Sequence, residues 1–370
     1  MREEYLKKVK RIVIKVGTRS LTRDLLVDKN KISKLVDGIT GLYRKNYEIL
    51  LVSSGAIASG IGELGLTKKP RDIPEKQASA SVGQISLMSH YHDLFRKKHI
   101  RVGQVLLTES DLKDRVRYLN ARNTLLTLIA KYKVVPVINE NDVVGVEEII
   151  FGDNDVLSAL IANLVNADLL VMLTDTDGFY VQKDGKKCLL SDVREFSDDL
   201  ADQAGGCGDE FSTGGMRSKL QAARIVTHAG GCAVIANSKE KNILARILSG
   251  EKIGTFFCGQ EKALSHKKRW IAFSVVPMGK VFIDEGAGEA LMKGNKSLLA
   301  GGITGVEGEF KQGDPVDICD AGGRVIGRGI TNYAVNILDA IKGRRTAEIR
   351  KMLNEEFYEE VIHRDNLVIY

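Results

Sequence analysis

The chain has 370 residues, 44% hydrophobic and 28% charged, an ordinary globular composition that excludes a largely disordered or fibrous protein. At about 150 residues per domain the length predicts two or three domains, each able to bury a core without disulfide or metal staples. With 54 Lys and Arg against 48 Asp and Glu the net charge is +6, which suits an anionic ligand but is too small by itself to argue for nucleic-acid binding.

The first two thirds alternate short β-branched runs with longer amphipathic segments. Arg11–Val16 (RIVIKV) reads as a buried strand, and Asn30–Asn46 as a helix with Ile32, Leu35, Val36, Ile39 and Leu42 on one face. Glu48–Val52 is the second strand, followed by small residues and a helical stretch from about Pro74 to Lys97. Val102–Leu107 is the third strand, Leu119–Lys131 a helix, and Val134–Ile138 the fourth strand. A hairpin is expected over Val144–Phe151, then a helix over Asn154–Asn166 and a strand over Asp168–Leu173. Asp199–Thr213, rich in Gly and Asp, reads as a mobile loop before a helix at Met216–Ala229 and a strand at Cys232–Ala236. Strands alternating with helices of this length imply βαβ units and an open, mostly parallel sheet sandwiched by helices, an α/β fold.

Near Lys262–Arg269 the pattern changes, and short strands punctuated by glycine follow Trp270. The expected division is therefore an α/β domain over residues 1–260 and a small β-rich domain over residues 270–370. Cys188, Cys207, Cys232, Cys258 and Cys319 form no C-x-x-C pair, which points to a reducing compartment and gives no zinc site. The apolar runs are too short to span a bilayer and the charged N-terminus is no signal peptide, so the expectation is a cytoplasmic protein without membrane contact.

Small and polar residues cluster where the parallel strands end: Gly17-Thr18, Ser53-Ser54-Gly55, Thr108-Glu109, Asn139-Glu140-Asn141-Asp142 and Thr174-Asp175. In open α/β sheets ligands bind outside the carboxyl ends of the strands. Any one cluster could equally be helix capping, but five on one sheet edge argue for a ligand crevice. Lys15, inside an apolar strand, is costly to bury unless it meets an anion there; otherwise it is an edge-strand lysine on a solvated face. Thr213-Gly214-Gly215-Met216-Arg217-Ser218-Lys219 opens a helix whose glycines and dipole suit a phosphate, with Lys219 aimed at the same anion; the alternative is a flexible helix start. Gly152-Asp153-Asn154-Asp155 places two carboxylates and an amide at another helix start, where they either cap the helix or, with Asn141-Asp142, line a pocket for a polar substrate or Mg²⁺. Gly60-Ile61-Gly62-Glu63-Leu64-Gly65 matches G-x-G-x-x-G but does not directly follow a strand, and reads as a helix end.

Together Lys15-Val16-Gly17-Thr18, Ser53–Gly60, Asn139–Asp142, Gly152–Asp155, Thr174-Asp175 and Thr213–Met216 resemble the amino-acid kinase family. Asp284–Ala287, Gly301–Ile303 and Val306–Gly308 resemble a PUA domain, so that the second unit is expected to be a PUA-like barrel. The resemblance implies transfer of the ATP γ-phosphoryl group to the γ-carboxylate of L-glutamate, with Mg²⁺ bridging the ATP phosphates. It implies catalytic roles for Lys15, Lys219 and Asp155, and an amino-acid pocket of Ser54, Asn139, Asp142 and Asn154. ATP would lie against Lys15, Gly17, Thr174, Asp175, Thr213, Gly214, Gly215, Met216, Arg217, Ser218 and Lys219. Asp114–Asn123 resembles the family's substrate loop, where proline feedback is sensed. A homo-oligomer, dimer or tetramer, is implied, with nucleic acid not required. The rival readings are a kinase for another amino acid, such as acetylglutamate, and an RNA-binding or RNA-modification protein acting through the PUA-like domain.

Overall fold

Ile12, Val13, Ile14 and Val16 make the first strand apolar on both faces, with Lys15 the one interruption after Ile12, the pattern of a strand covered on both sides. That is its position. In the computed structural model, which describes residues 2–145, 154–183, 186–196, 213–260, 266–294, 296–353 and 358–370, Arg11–Val16 lies between Glu48–Ser53 and Leu169–Thr174, parallel to both. The full sheet has eight strands in the order Asp192–Val193, Thr255–Phe257, Cys232–Asn237, Leu169–Thr174, Arg11–Val16, Glu48–Ser53, Val135–Glu140 and Val102–Leu107. Neighbours run parallel except Thr255–Phe257, which pairs antiparallel with Cys232–Asn237.

Alternation along the strands divides their side chains between two faces. Ile12, Ile14, Val16, Ile49 and Leu51 pack with Ile32, Val36 and Ile39 of helix Lys29–Tyr43, and with Leu87, Tyr91 and Phe95 of helix Ile73–Arg96. Helices Asp155–Val165 and Thr213–His228 pack against each other and against the strands Arg11–Val16, Leu169–Thr174 and Cys232–Asn237. Asp28 and Asp72 cap the helices that follow them by accepting backbone N–H bonds.

Several expected boundaries move. Asn139 and Glu140 belong to the fourth strand rather than following it, and Ser53 and Thr174 are likewise the last residues of theirs. Helix Arg115–Leu126 starts earlier than the apolar pattern indicated, because Asp114 caps it, and it runs into a π-helical turn at Thr127–Lys131. Ala56–Glu63 is a helix, and Gly65, with φ +64°, ends it, which accounts for the G-x-G-x-x-G match. From residue 146 onward the expected hairpin lies outside the described residues, as do Gly152, Asp153, Cys207 and the loop expected before Thr213.

The chain divides into two compact units, Met1–Ala263 and Leu264–Tyr370. The second has its own five-stranded sheet, in the order Ile303–Gly308, Gly279–Ile283, Pro315–Cys319, Val325–Ile330 and Leu367–Ile369. Its core gathers Val281, Ile283, Val316, Ile318, Leu338, Ile341 and Ile362. It is richer in helix than its glycine spacing suggested: Glu285–Gly294, Val335–Ile341 and Thr346–Leu353 are all helical. Among the described residues no helix is long and apolar enough to cross a membrane.

Candidate active site

Asp155 begins the helix Asp155–Val165 at the carboxyl edge of the sheet, and its side chain is fully buried. Lys15 Nζ lies 2.6 Å from its Oδ1, and Lys219 Nζ lies 2.9 Å from its Oδ2. Lys15 is 1% exposed and Lys219 9%. Ser218 Oγ donates to the same Oδ2 at 2.9 Å, and both Ser218 Oγ and Lys219 Nζ reach the Gly215 carbonyl at 3.0 Å. Two ammonium groups thus flank one buried carboxylate. Buried cations gathered in this way favour an anionic ligand. The starts of two helices, Asp155–Val165 and Thr213–His228, add their positive dipole ends.

Gly17 lies directly beside the Lys15 ammonium group; a Cβ there would stand 3.7 Å from Nζ, at ordinary contact distance. Gly17 N–H also donates to the Leu173 carbonyl, tying the turn to the neighbouring strand. Thr174 Oγ1 donates to Asp175 Oδ1 at 3.1 Å, and Arg19 reaches Asp175 Oδ2 at 3.2 Å. Burial raises the Asp175 carboxyl, but the bonds from Arg19 and Thr174 outweigh it and hold the group below its ordinary value. Gly215 and Arg217 are exposed and Met216 and Ser218 half-buried; the side chain of Thr213 lies outside the described set.

A second group of side chains adjoins the first through the chain itself, because Asn154 precedes Asp155. Asn154 Nδ2 donates to the Ser53 carbonyl and to Ser54 Oγ, each at 3.2 Å, and to Asn139 Oδ1 at 2.9 Å. Asn154 Oδ1 is buried with no hydrogen-bond partner among the described residues. Gly55, at φ +109°, provides the left-handed turn that brings Ser54 to this point. Asp142 lies just beyond the fourth strand, half-buried, and burial pushes its carboxyl up to about 6. Burial first, then the charges of Asp142, Glu109 and Asp111, push the Glu140 carboxyl up to about 8. Thr108 is spent on helix capping, donating to and accepting from Asp111, so that cluster follows the capping alternative.

The structure thus gathers Lys15, Asp155, Ser218 and Lys219 into one cluster, and Ser54, Asn139 and Asn154 into another beside it. Gln84 and Tyr91 were not expected here. Asn139 Nδ2 donates to Gln84 Oε1 at 2.9 Å, and Tyr91 OH lies 2.8 Å from Ser53 Oγ. Their signal was present, as polar groups seven residues apart on a long helix. Among the described residues no group of three or more His, Cys, Asp or Glu is placed to hold a metal ion.

The Amino acid kinase family profile matches residues 10–237, and the PUA domain profile matches residues 279–353. The glutamate 5-kinase of Caldanaerobacter subterraneus subsp. tengcongensis is 48% identical over 97% of each chain. That of Dictyoglomus thermophilum is 49% identical over 97% of each, and that of Syntrophotalea carbinolica 45% identical over the whole of both. A profile covering more than half the residues, together with relatives aligned end to end at this identity, leaves one assignment: the chain belongs to the amino-acid kinase family and carries a PUA domain after its kinase unit.

Proposed function

We propose that the chain transfers the γ-phosphoryl group of ATP to the γ-carboxylate of L-glutamate, giving L-glutamyl 5-phosphate and ADP, the first step towards proline. The observation that carries this reading is the buried Lys15–Asp155–Lys219 cluster set directly against the Ser54–Asn139–Asn154 pocket. One half-site suits a transferring phosphoryl group and the other a small polar acceptor. The relatives that match end to end carry the corresponding name.

A carboxylate oxygen is nucleophilic without deprotonation, so no general base is required. The barrier lies in bringing two anions together and in stabilising the charge spread over the moving phosphoryl oxygens. Lys15 and Lys219 supply two positive charges held rigid by Asp155, so little reorganisation is needed as that charge develops. Ser218 fixes Asp155 from a third side. Ser54 Oγ and the amides of Asn139 and Asn154 orient the acceptor, and Asp142 balances its ammonium group. Gly17, Thr174, Asp175 and the segment Thr213–Lys219 would hold the nucleotide. The paired buried lysines and the glycines beside them fit a polyphosphate. Mg²⁺ bound with ATP would neutralise part of the phosphate charge. Proline as end-product inhibitor and a homo-oligomeric state complete the proposal.

The test is hydroxylamine trapping of the acyl phosphate. Hydroxamate should form only with ATP, Mg²⁺ and L-glutamate together, and not with N-acetylglutamate or aspartate in its place. Preference for N-acetylglutamate would move the chain to another specificity within the family.

A further inference from the structure

Helix Ile73–Arg96 contributes none of the groups assigned above, yet three of its side chains hydrogen-bond around the acceptor pocket. Gln77 Nε2 donates to the Val143 carbonyl at 3.1 Å, in the turn that carries Asp142. Gln84 Oε1 accepts from Asn139 Nδ2, and Tyr91 OH meets Ser53 Oγ. These residues are spaced seven apart, two helical turns, and so share one face.

The polarity of the contacts is determined. The Ser53 carbonyl can only accept, so Asn154 must present its NH₂ there and to Asn139 Oδ1. Asn139 therefore turns its own NH₂ to Gln84, which can answer only with its oxygen. The leftover Gln84 Nε2 is buried without a hydrogen-bond partner among the described residues. A side chain retained for packing alone would not leave that donor unpaired; Met or Leu would fill the space without it. Likewise, the single proton of Ser53 Oγ goes to the Ser54 carbonyl, so Tyr91, itself fully buried, must be the donor to Ser53.

The helix is also held at a defined distance. A Cβ at Gly83, next to Gln84, would lie 1.9 Å from the Ala56 carbonyl oxygen, and one at Gly60 would lie 1.8 Å from that of Ser79. The helix behind the pocket and the helix Ala56–Glu63 that follows Ser54 and Gly55 therefore touch backbone to backbone.

We propose that this face is a splint for the acceptor pocket, with Gln84 and Tyr91 as positioning residues that set affinity for the amino acid and not for the nucleotide. Gln84 aligns Asn139, and through it Asn154; Tyr91 aligns Ser53 and the Ser54 turn. The inference rests on the reading of Ser54, Asn139 and Asn154 as the acceptor site.

The test uses the full chain with Tyr91→Phe, which keeps the ring, and Gln84→Met, which keeps the length. Each should raise KM for glutamate roughly 5- to 30-fold, the effect of leaving one buried polar partner unmet, while KM for ATP stays at the parental value. Thermal stability is measured alongside. Unchanged KM for glutamate in both folded variants, whatever their melting temperature, would overturn the proposal, because a structural role alone predicts that result. A parallel rise in both KM values would overturn it too. Should the parent protein form no glutamate-dependent product, the functional reading itself fails, and that outcome is visible before any variant is made.

Discussion

Replacing Asp155 with Asn keeps the shape of the side chain but removes the charge between Lys15 and Lys219. Their nitrogens sit 2.6 and 2.9 Å from opposite oxygens of one carboxylate. At an effective dielectric of about 20, two like charges roughly 5 Å apart repel by about 3 kcal/mol. Removing one partner from a buried ion pair costs about 3–5 kcal/mol in general, of the same order. For a unit of this size that corresponds to a fall in Tm of roughly 6–10 °C. Turnover should fall about 100- to 1000-fold, since the lysines would no longer be fixed where phosphoryl charge develops. Differential scanning fluorimetry and the hydroxamate assay measure the two effects. The discriminating readout is nucleotide protection: a polyphosphate supplies the missing negative charge, so MgATP should raise the Tm of Asp155→Asn more than that of the parent. Near-parental turnover with unchanged Tm, or weaker protection by MgATP in the variant, would refute the reasoning.

Lys219→Ala and Lys15→Ala should each lower kcat far more than they change KM for either substrate, by roughly 100- to 1000-fold in steady-state kinetics. The Asp142 carboxyl, pushed up to about 6, must be ionised to pair with an ammonium group, so kcat/KM for glutamate should fall as pH drops through about 6, and Asp142→Asn should lose that limb. A carboxyl whose folded pKa exceeds its unfolded value of about 3.9 favours folding below that value and loses that contribution as pH rises through about 6, so Asp142→Asn should melt higher than the parent at pH 7.5. Gly83→Ala would push a methyl group into the Ala56 carbonyl oxygen; a loss of more than about 3 kcal/mol in urea unfolding is expected, with glutamate binding impaired. Truncation after Gln260 should leave a folded kinase unit that still forms hydroxamate, because every site residue lies upstream of that point; aggregation at several nearby cut points would contradict the proposed division.

The strands that carry the chemistry were the most legible part of the sequence. Arg11–Val16 and Val102–Leu107 are short β-branched or apolar runs bounded by polar turns, and the structure keeps those bounds. Lys15 stood out because a lysine in such a run needs an anion, and Asp155 is there. The rest had weaker local signals. Ala56–Glu63 is helical despite two glycines, because tertiary contact with Ile73–Arg96 demands small residues there and overrides propensity. Thr255–Phe257 is three residues long, and its antiparallel direction depends on a neighbour that no local pattern reveals. Gln84 and Tyr91 escaped notice because a half-polar helix face reads as solvated until its partners are known. In the second unit, glycine spacing suggested strands where Glu285–Gly294 is helical; the regular apolar positions Ala287 and Leu291 were the better guide.

The order of strands in the kinase unit also bears on how the chain emerges from the ribosome. Arg11–Val16 is synthesised early but sits in mid-sheet. Its partner on one side, Glu48–Ser53, follows soon, whereas the partner on its other side, Leu169–Thr174, arrives much later. At about 5–20 residues per second, the stretch between Ser53 and Leu169 takes roughly 6–25 s to translate. Throughout that interval the nascent sheet presents the backbone edge of Ile12, Val13 and Ile14 with nothing paired to it, a template for intermolecular association. Slow codons or scarce chaperone before Leu169 should therefore cost more soluble enzyme than the same delay placed after Thr174.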